Sequence, residues 1–159
     1  LVGRSVVAMV AAIILRRLTC PAASPMRFAD KTIVITGASD GIGAELARQL
    51  AAERPNLVLA ARGAEALERV AAHCRARGAQ ALAVPTDVAD PGACERLIAR
   101  AGEAFGGIDV LVNNAGISMH ALFDQTTDFT TYERLLRINA LSCVHLTRHA
   151  LPLLTARRG

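Results

Sequence analysis

Thr36 to Gly43 reads TGASDGIG, and Asn113 to Gly116 reads NNAG. Glycine carries no Cβ, so glycines at this spacing let main-chain N–H groups come close to an anion. The chemistry served by such a turn is the holding of phosphate. Proton transfer needs other groups, and the candidates are few. Tyr132 and Lys31 are the only tyrosine and the only lysine in the chain. His145 and His149 stand four apart, which on a helix puts them on one face where two imidazoles can share a metal ion. No third ligand stands near them, so a packed helix face or a subunit contact is the preferred reading. The cysteines Cys20, Cys74, Cys94 and Cys143 form no C-x-x-C pair and fit no zinc spacing. They read as free thiols of a reducing compartment.

The elements that must position these residues follow from hydrophobic periodicity. KTIVIT (31–36) is a short β-branched run, read as a buried strand. Residues 42–53 follow as a helix, broken at Pro55-Asn56. LVLAA (57–61) is a second strand. Residues 64–77 form a second helix, stopped at Gly78. ALAVP (81–85) is a third strand. Asp90-Pro91 opens a third helix, with the acid at the cap and proline in the first turn, and it ends near Gly106-Gly107. IDVLV (108–112) is a fourth strand. A fourth helix runs from about Thr130 to Leu151 or beyond. Strands alternating with helices of this length predict an α/β fold: a Rossmann-type, doubly wound parallel sheet with right-handed crossovers, ending after its fourth βα unit. Continuous apolar strands agree, because both faces of such a sheet are covered.

In this context the glycine turn lies between a strand and a helix, where a glycine pattern is specific for a dinucleotide. Gly37 permits the tight turn, Gly41 lets the backbone approach a pyrophosphate, and Gly43 lets the helix pack closely. The helix N-terminus adds free N–H groups and the positive end of its dipole. The form T-G-x-x-x-G-x-G, with NNAG after the fourth strand, Asp87-Val88 after the third and Asn139 in the fourth helix, resembles the short-chain dehydrogenase/reductases. The resemblance covers residues 28 to 159. The glycine spacing differs from that of the family's longer, epimerase-like relatives, which disfavours a nucleotide-sugar enzyme.

The resemblance implies an NAD(P)-binding domain over 26–159. Gly37, Ala38, Ser39, Asp40, Gly41, Ile42 and Gly43 then surround the cofactor phosphates. Asp87 and Val88 meet the adenine, and Asn114, with Ala115 and Gly116, lies against a ribose. Asn113 and Thr36 brace the sheet. Cofactor choice follows from charge. An acid about 20 residues past the glycines selects the 2′-hydroxyl of NAD, whereas arginine there suits a 2′-phosphate. Here the second strand ends in Ala61 and Arg62. NADP(H) is therefore expected over NAD(H), with Ser39 adding a hydroxyl contact and Asp40 arguing mildly the other way.

The family moves hydride between nicotinamide and a carbinol carbon, using a serine, a Tyr-x-x-x-Lys pair and a relay asparagine. Asn139 is similar to that asparagine. The others have no match: Leu136 stands four after Tyr132, Tyr132 precedes Asn139 instead of following it, and Lys31 precedes the first strand. The expectation is a sequence cut short of its reacting half, inactive by itself, belonging to an alcohol dehydrogenase or carbonyl reductase. The alternative is a catalytically inert dinucleotide-binding module, such as a sensor or partner subunit. His120 and residues 117–128 stand where the family begins its substrate side, without revealing the substrate.

Hydrophobic residues make up 52% and charged residues 20%, a balance that predicts a folded domain. The net charge of +4 comes mostly from arginines scattered along helices, such as Arg48, Arg69, Arg75, Arg77, Arg96 and Arg100. With aromatics at 3%, they read as solvated helix faces, not as a nucleic-acid surface. Residues 1–25 differ. VVAMVAAIIL (6–15) is apolar and flanked by Arg4, Arg16 and Arg17. Ten helical residues span about 15 Å, roughly half a bilayer core. Three readings stay open: a short membrane anchor, as in several steroid- and retinoid-type relatives; an end that packs on the domain; or incidental residues before Met26, which is preferred. A cytoplasmic enzyme acting on small molecules, homo-oligomeric when whole, completes the expectation.

Overall fold

The computed structural model describes residues 28–119 and 122–159; residues 1–27, with Cys20 and the apolar run, and His120 lie outside the described residues. Its elements run in chain order: β1 Thr32–Thr36, α1 Gly41–Leu50, β2 Asn56–Ala61, α2 Ala64–Ala76, β3 Gln80–Pro85, α3 Pro91–Phe105, β4 Val110–Val112, α4 Thr130–Leu136 and α5 Ser142–Arg157. Short 3₁₀ turns occupy Ala51–Glu53 and Phe123–Gln125, and a π-helical turn, Arg137–Leu141, joins α4 to α5.

The four strands form one parallel sheet in the order β3-β2-β1-β4. β1 is central, with Thr32 opposite Asn56 on one side and Ile33 opposite Val110 on the other. Its TIVIT run is buried at all five positions. Successive strand side chains point to opposite faces, so one strand feeds two cores. Ile33, Ile35, Leu57 and Leu59 pack with Ala44 and Ala47 of α1 and Leu67 and Val70 of α2. Val34, Val58 and Ala60 pack on the other face with Leu97, Ile98 and Ala101 of α3 and Leu146 and Ala150 of α5. This is the doubly wound arrangement that the alternation predicted.

Boundaries shift for physical reasons. The first helix, expected over 42–53, ends at Leu50 and tightens into the 3₁₀ turn, and Arg54 then adopts φ 59°. Pro55 disfavours the right-handed helical conformation in the residue before it. The fourth strand, expected over 108–112, pairs only over Val110–Val112. Ile108 is fully buried without belonging to the ladder. Asp90 caps α3 as expected: its Oδ1 accepts the Gly92 N–H at 2.8 Å.

The N-terminal end of the sheet is tied by a buried carboxylate. Asp109 Oδ1 accepts from Lys31 Nζ at 2.8 Å and Oδ2 accepts the Thr32 N–H at 2.9 Å, while Arg157 Nη1 lies 3.8 Å away. Burial raises the Asp109 carboxyl, but the bonds from Lys31 and Thr32 and the charges of Lys31 and Arg157 outweigh it and hold it below its ordinary value.

Candidate functional site

The carboxyl ends of the strands carry the site. β1 pairs with β2 on one side and β4 on the other, so the chain leaves the sheet in opposite directions at that point. Crevices outside such a switch point are where open α/β sheets take ligands. A cavity of about 530 Å³ lies there, lined by Gly37, Ser39, Ala61, Arg62, Gly63, Thr86, Asp87, Val88, Ala115, Gly116, Ile117 and Ile138.

The turn after β1 is held by close contact. Gly37 has φ +66°, and a Cβ there would stand 2.9 Å from Ala115 Cα. A Cβ on Gly43 would collide with the Gly37 carbonyl oxygen and come within 2.5 Å of Asn114 Nδ2. The close packing that Gly43 allows is between α1 and the turn after β1. Gly41 has φ +56°, and a Cβ there would meet nothing within 4 Å, so the space before it is open. Asp40 caps α1, accepting the Gly41 N–H at 2.7 Å. Ala38 is fully buried, and its N–H donates to Ala60 O at 3.1 Å. Ile42 stands outward, 54% exposed.

Thr36 and Asn114 lock the turn to the NNAG segment. Thr36 Oγ1 accepts the N–H groups of Asn114 and Ala115, both at 3.0 Å, and donates to Val112 O at 3.3 Å. Asn114 Nδ2 donates to the carbonyls of Thr36 at 2.9 Å and Gly37 at 3.3 Å. The Asn114 side chain thus braces the turn, while the Asn113 side-chain amide reaches Thr147 Oγ1 at 3.5 Å. Asn139 lies in the π-helical turn and clasps Ile117 twice, accepting its N–H at 2.9 Å and donating to its carbonyl at 2.8 Å. π-turns inside helices are frequent at functional sites. This one fixes the segment that carries Ile117 into the cavity wall.

The far wall is the end of β3. Asp87 is exposed and folds back, Oδ1 accepting the Ala89 N–H at 3.0 Å. The buried Cys94 thiol donates to Val88 O at 3.4 Å, which steadies the Asp87–Val88 bend. Burial pushes the Cys94 thiol up, and the Asp90 and Asp87 charges add to it, so it stays protonated and unreactive. At the rim stands Arg62, exposed and without an ion-pair partner among the described residues. Its guanidinium is an unneutralised cation at the mouth of the cavity.

Eight of the residues singled out from sequence therefore line the cavity: Gly37, Ser39, Ala61, Arg62, Asp87, Val88, Ala115 and Gly116. Ala38, Asp40, Gly41, Ile42, Gly43, Asn114 and Asn139 stand behind or beside that wall. Gly63, Thr86, Ile117 and Ile138 were missed. The first three adjoin recognised motifs, but Ile138 owes its place to the π-turn, for which the sequence carries no signal. Lys31 is held by Asp109 at the opposite end of the sheet. Tyr132 packs against Phe123 and Phe129, with ring centroids 6.0 and 5.8 Å apart. Neither joins the cavity wall. No group of three or more His, Cys, Asp or Glu among the described residues could hold a metal.

The geometry agrees with what the chain is similar to. A family model described as short chain dehydrogenase matches residues 31–159. An 11-beta-hydroxysteroid dehydrogenase A from Sesamum indicum is 39% identical over 132 residues, which are 82% of this chain and 38% of that protein. L-Sorbose reductase from Gluconobacter frateurii, solved with NADPH and L-sorbose, superposes with a TM-score of 0.79 at 32% identity, over 84% of this chain and 51% of that one. An NADH-dependent reductase, A1-R′, solved with NAD, superposes with a TM-score of 0.76 at 30% identity, over 82% of this chain and 54% of that one. The chain thus spans about two-fifths to half the length of these relatives. With the match running from the first strand through the glycine turn and NNAG to the last helix, the chain belongs to the short-chain dehydrogenase family.

Proposed function

We propose that the cavity binds NADP(H), and that the protein to which these residues belong is an NADP(H)-dependent oxidoreductase acting on a small alcohol or carbonyl compound. The observation that carries this reading is Arg62: an unpaired guanidinium at the rim, directly after Ala61, where an acid would favour NAD. The fit rests on three further features. Gly37 and Gly43 leave no room for side chains, Gly41 leaves open space before the α1 N-terminus, and the cavity of about 530 Å³ runs from Gly37 and Ser39 to the Asp87–Val88 bend.

When bound, the nicotinamide supplies the hydride or accepts it. The residues of this chain do the rest of the holding. Main-chain N–H groups at the start of α1 face the phosphates. Ser39 and Arg62 take the 2′-phosphate, a hydroxyl donor and a planar fork of N–H donors. Asp87 and Val88 border the adenine, Ala115 and Gly116 border a ribose, and Asn139 sets the position of Ile117 below the reacting end. Residues 26–159 make the cofactor-binding unit, with 1–25 an extension outside it. Leu141, Val144 and Leu151 lie exposed along the π-turn and α5, at 49, 60 and 56%, a surface suited to a second copy of the protein.

A second reading is an inert dinucleotide-binding module. Its support is that the tyrosine and lysine of this chain lie away from the cavity, one stacked with Phe123 and Phe129 and one on Asp109. The test of the cofactor reading is the pair of dissociation constants for NADPH and NADH, with and without Arg62→Ala. NADPH should bind more tightly by about 1.5–3 kcal/mol, the range of a hydrogen bond to a charged group, and Arg62→Ala should remove most of that difference. Equal affinities in the parent protein would defeat it. Turnover of NADPH with ketones and aldehydes by the longer protein separates enzyme from module.

A further inference from the structure

Beside the main cavity lies a second groove of about 390 Å³, lined by Ser39, Asp40, Arg48, Ala66, Arg69 and Val70. Ser39 belongs to both spaces, so the groove opens at the point where the 2′-phosphate is placed in the reading above. Ser39 and Asp40, just before α1, stand at one end; Arg48, toward the end of α1, lines the near wall, and Ala66, Arg69 and Val70 of α2 line the far wall, Arg69 nearly two turns past Gly63. We infer that Arg69 is a second determinant of cofactor choice, closing on the 2′-phosphate from the far wall of this groove. The inference rests on the NADP(H) reading and adds a residue to it.

Charge gives the reason. Asp40 lines the same groove, and its carboxylate repels a phosphate dianion that Arg62 attracts. Arg62 acts from the main cavity, and its attraction is opposed from the groove side. Two guanidinium groups share the groove with Asp40, but they differ in freedom. Arg48 lies 3.7 Å from Glu45 on its own helix and is 39% exposed. Arg69 is 66% exposed, and its partner Glu65, at 3.0 Å, is 93% exposed. An exposed i,i+4 pair is weak and readily exchanged for a dianion. Arg69 already lines the groove, and Ala66, one turn earlier on the same helix, leaves its wall clear of a large side chain.

The experiment measures dissociation constants of NADPH and NADH for the parent protein and for Arg69→Ala, Arg69→Lys and Asp40→Asn. Circular dichroism checks that each remains folded, which the exposure of Arg69 and retention of the Asp40 cap by asparagine favour. Arg69→Ala should weaken NADPH about three- to tenfold and leave NADH within about twofold, as an exposed charge contact to phosphate would. Arg69→Lys should recover part of the loss. Asp40→Asn should tighten NADPH alone. A parent protein that prefers NADPH, with Arg69→Ala leaving that preference unchanged or weakening both cofactors equally, overturns the role of Arg69 while the cofactor reading stands. A parent protein with no preference for NADPH overturns both.

Discussion

Replacing Gly43 with alanine sets two effects of opposite sign against each other. Alanine is the better helix former, and in an open helix position the change would stabilise by about 0.5–1 kcal/mol. At Gly43 the added methyl meets the Gly37 carbonyl oxygen and Asn114 Nδ2. Both are backbone or held by backbone: Asn114 Nδ2 donates to Thr36 O and Gly37 O. Relief therefore requires α1 and the turn to separate. Overpacking of this kind costs about 1–3 kcal/mol. The hydrogen bond to Gly37 is lost as well, about another 0.5–1.5 kcal/mol. Subtracting the helix gain leaves a net loss of about 0.5–4 kcal/mol. The matched control is Gly92→Ala in the first turn of α3, where the new Cβ meets only Arg96 Nη1 at 3.1 Å and Asp90 Oδ1 at 3.4 Å. The arginine end is mobile, so this variant should be neutral or slightly stabilised. Urea unfolding followed by far-ultraviolet circular dichroism reads both. Gly43→Ala should also weaken NADPH, because the turn proposed to hold the phosphates moves. A Gly43→Ala protein as stable as the Gly92→Ala protein would refute the reasoning.

Thr36→Val should lose about 1–3 kcal/mol, since the half-buried Ala115 N–H is left without its acceptor and the Asn114 N–H keeps only Val112 O; Thr36→Ser should keep most of the stability, and urea midpoints with equal slopes decide it. Asp109→Asn should cost about 1–3 kcal/mol at neutral pH, the charge being lost from a bond to half-exposed Lys31 while the Thr32 bond stays. The Asp109 carboxyl titrates below its ordinary value in the folded protein. Its contribution is therefore complete above the unfolded value of about 3.9 and fades as pH falls through the lower folded value. The difference between the parent and Asp109→Asn should shrink only below about pH 4, and a difference that shrinks above pH 6 would exclude Asp109 as its source. A chain starting at Met26 should match the long form in thermal midpoint; sedimentation with liposomes by the long form alone would make residues 1–25 an anchor instead.

The order of elements was legible because this sheet is covered on both faces. TIVIT, NLVLAA and QALAVP read as strands since each is nearly all apolar, and Asp90-Pro91 and Gly78 mark helix ends by their own stereochemistry. The same signal misplaced the start of β4. Ile108 is apolar because it fills the core, and burial alone does not tell a paired residue from its neighbour. The glycine turn after β1 was legible, because positive φ and close contact restrict residue type more than any helix face does. The division of labour behind it was not. Asn113 and Asn114 are identical residues next to each other, and only the direction of each side chain decides which one locks the turn. The π-turn at Arg137–Leu141 was hidden too, and so was the clasp it carries between Asn139 and Ile117, which are 22 positions apart in the chain. Arg69 read as one of many solvated arginines; only the groove it shares with Ser39 sets it apart.

The most direct measurement is a crystal structure of the protein grown with NADPH. The adenine should lie at the Asp87–Val88 bend, the 2′-phosphate within hydrogen-bond distance of Arg62 and Ser39, and the pyrophosphate before Gly41 at the α1 N-terminus. NADPH bound elsewhere, or bound in this cavity with its 2′-phosphate turned away from Arg62, would contradict the assignment of the site.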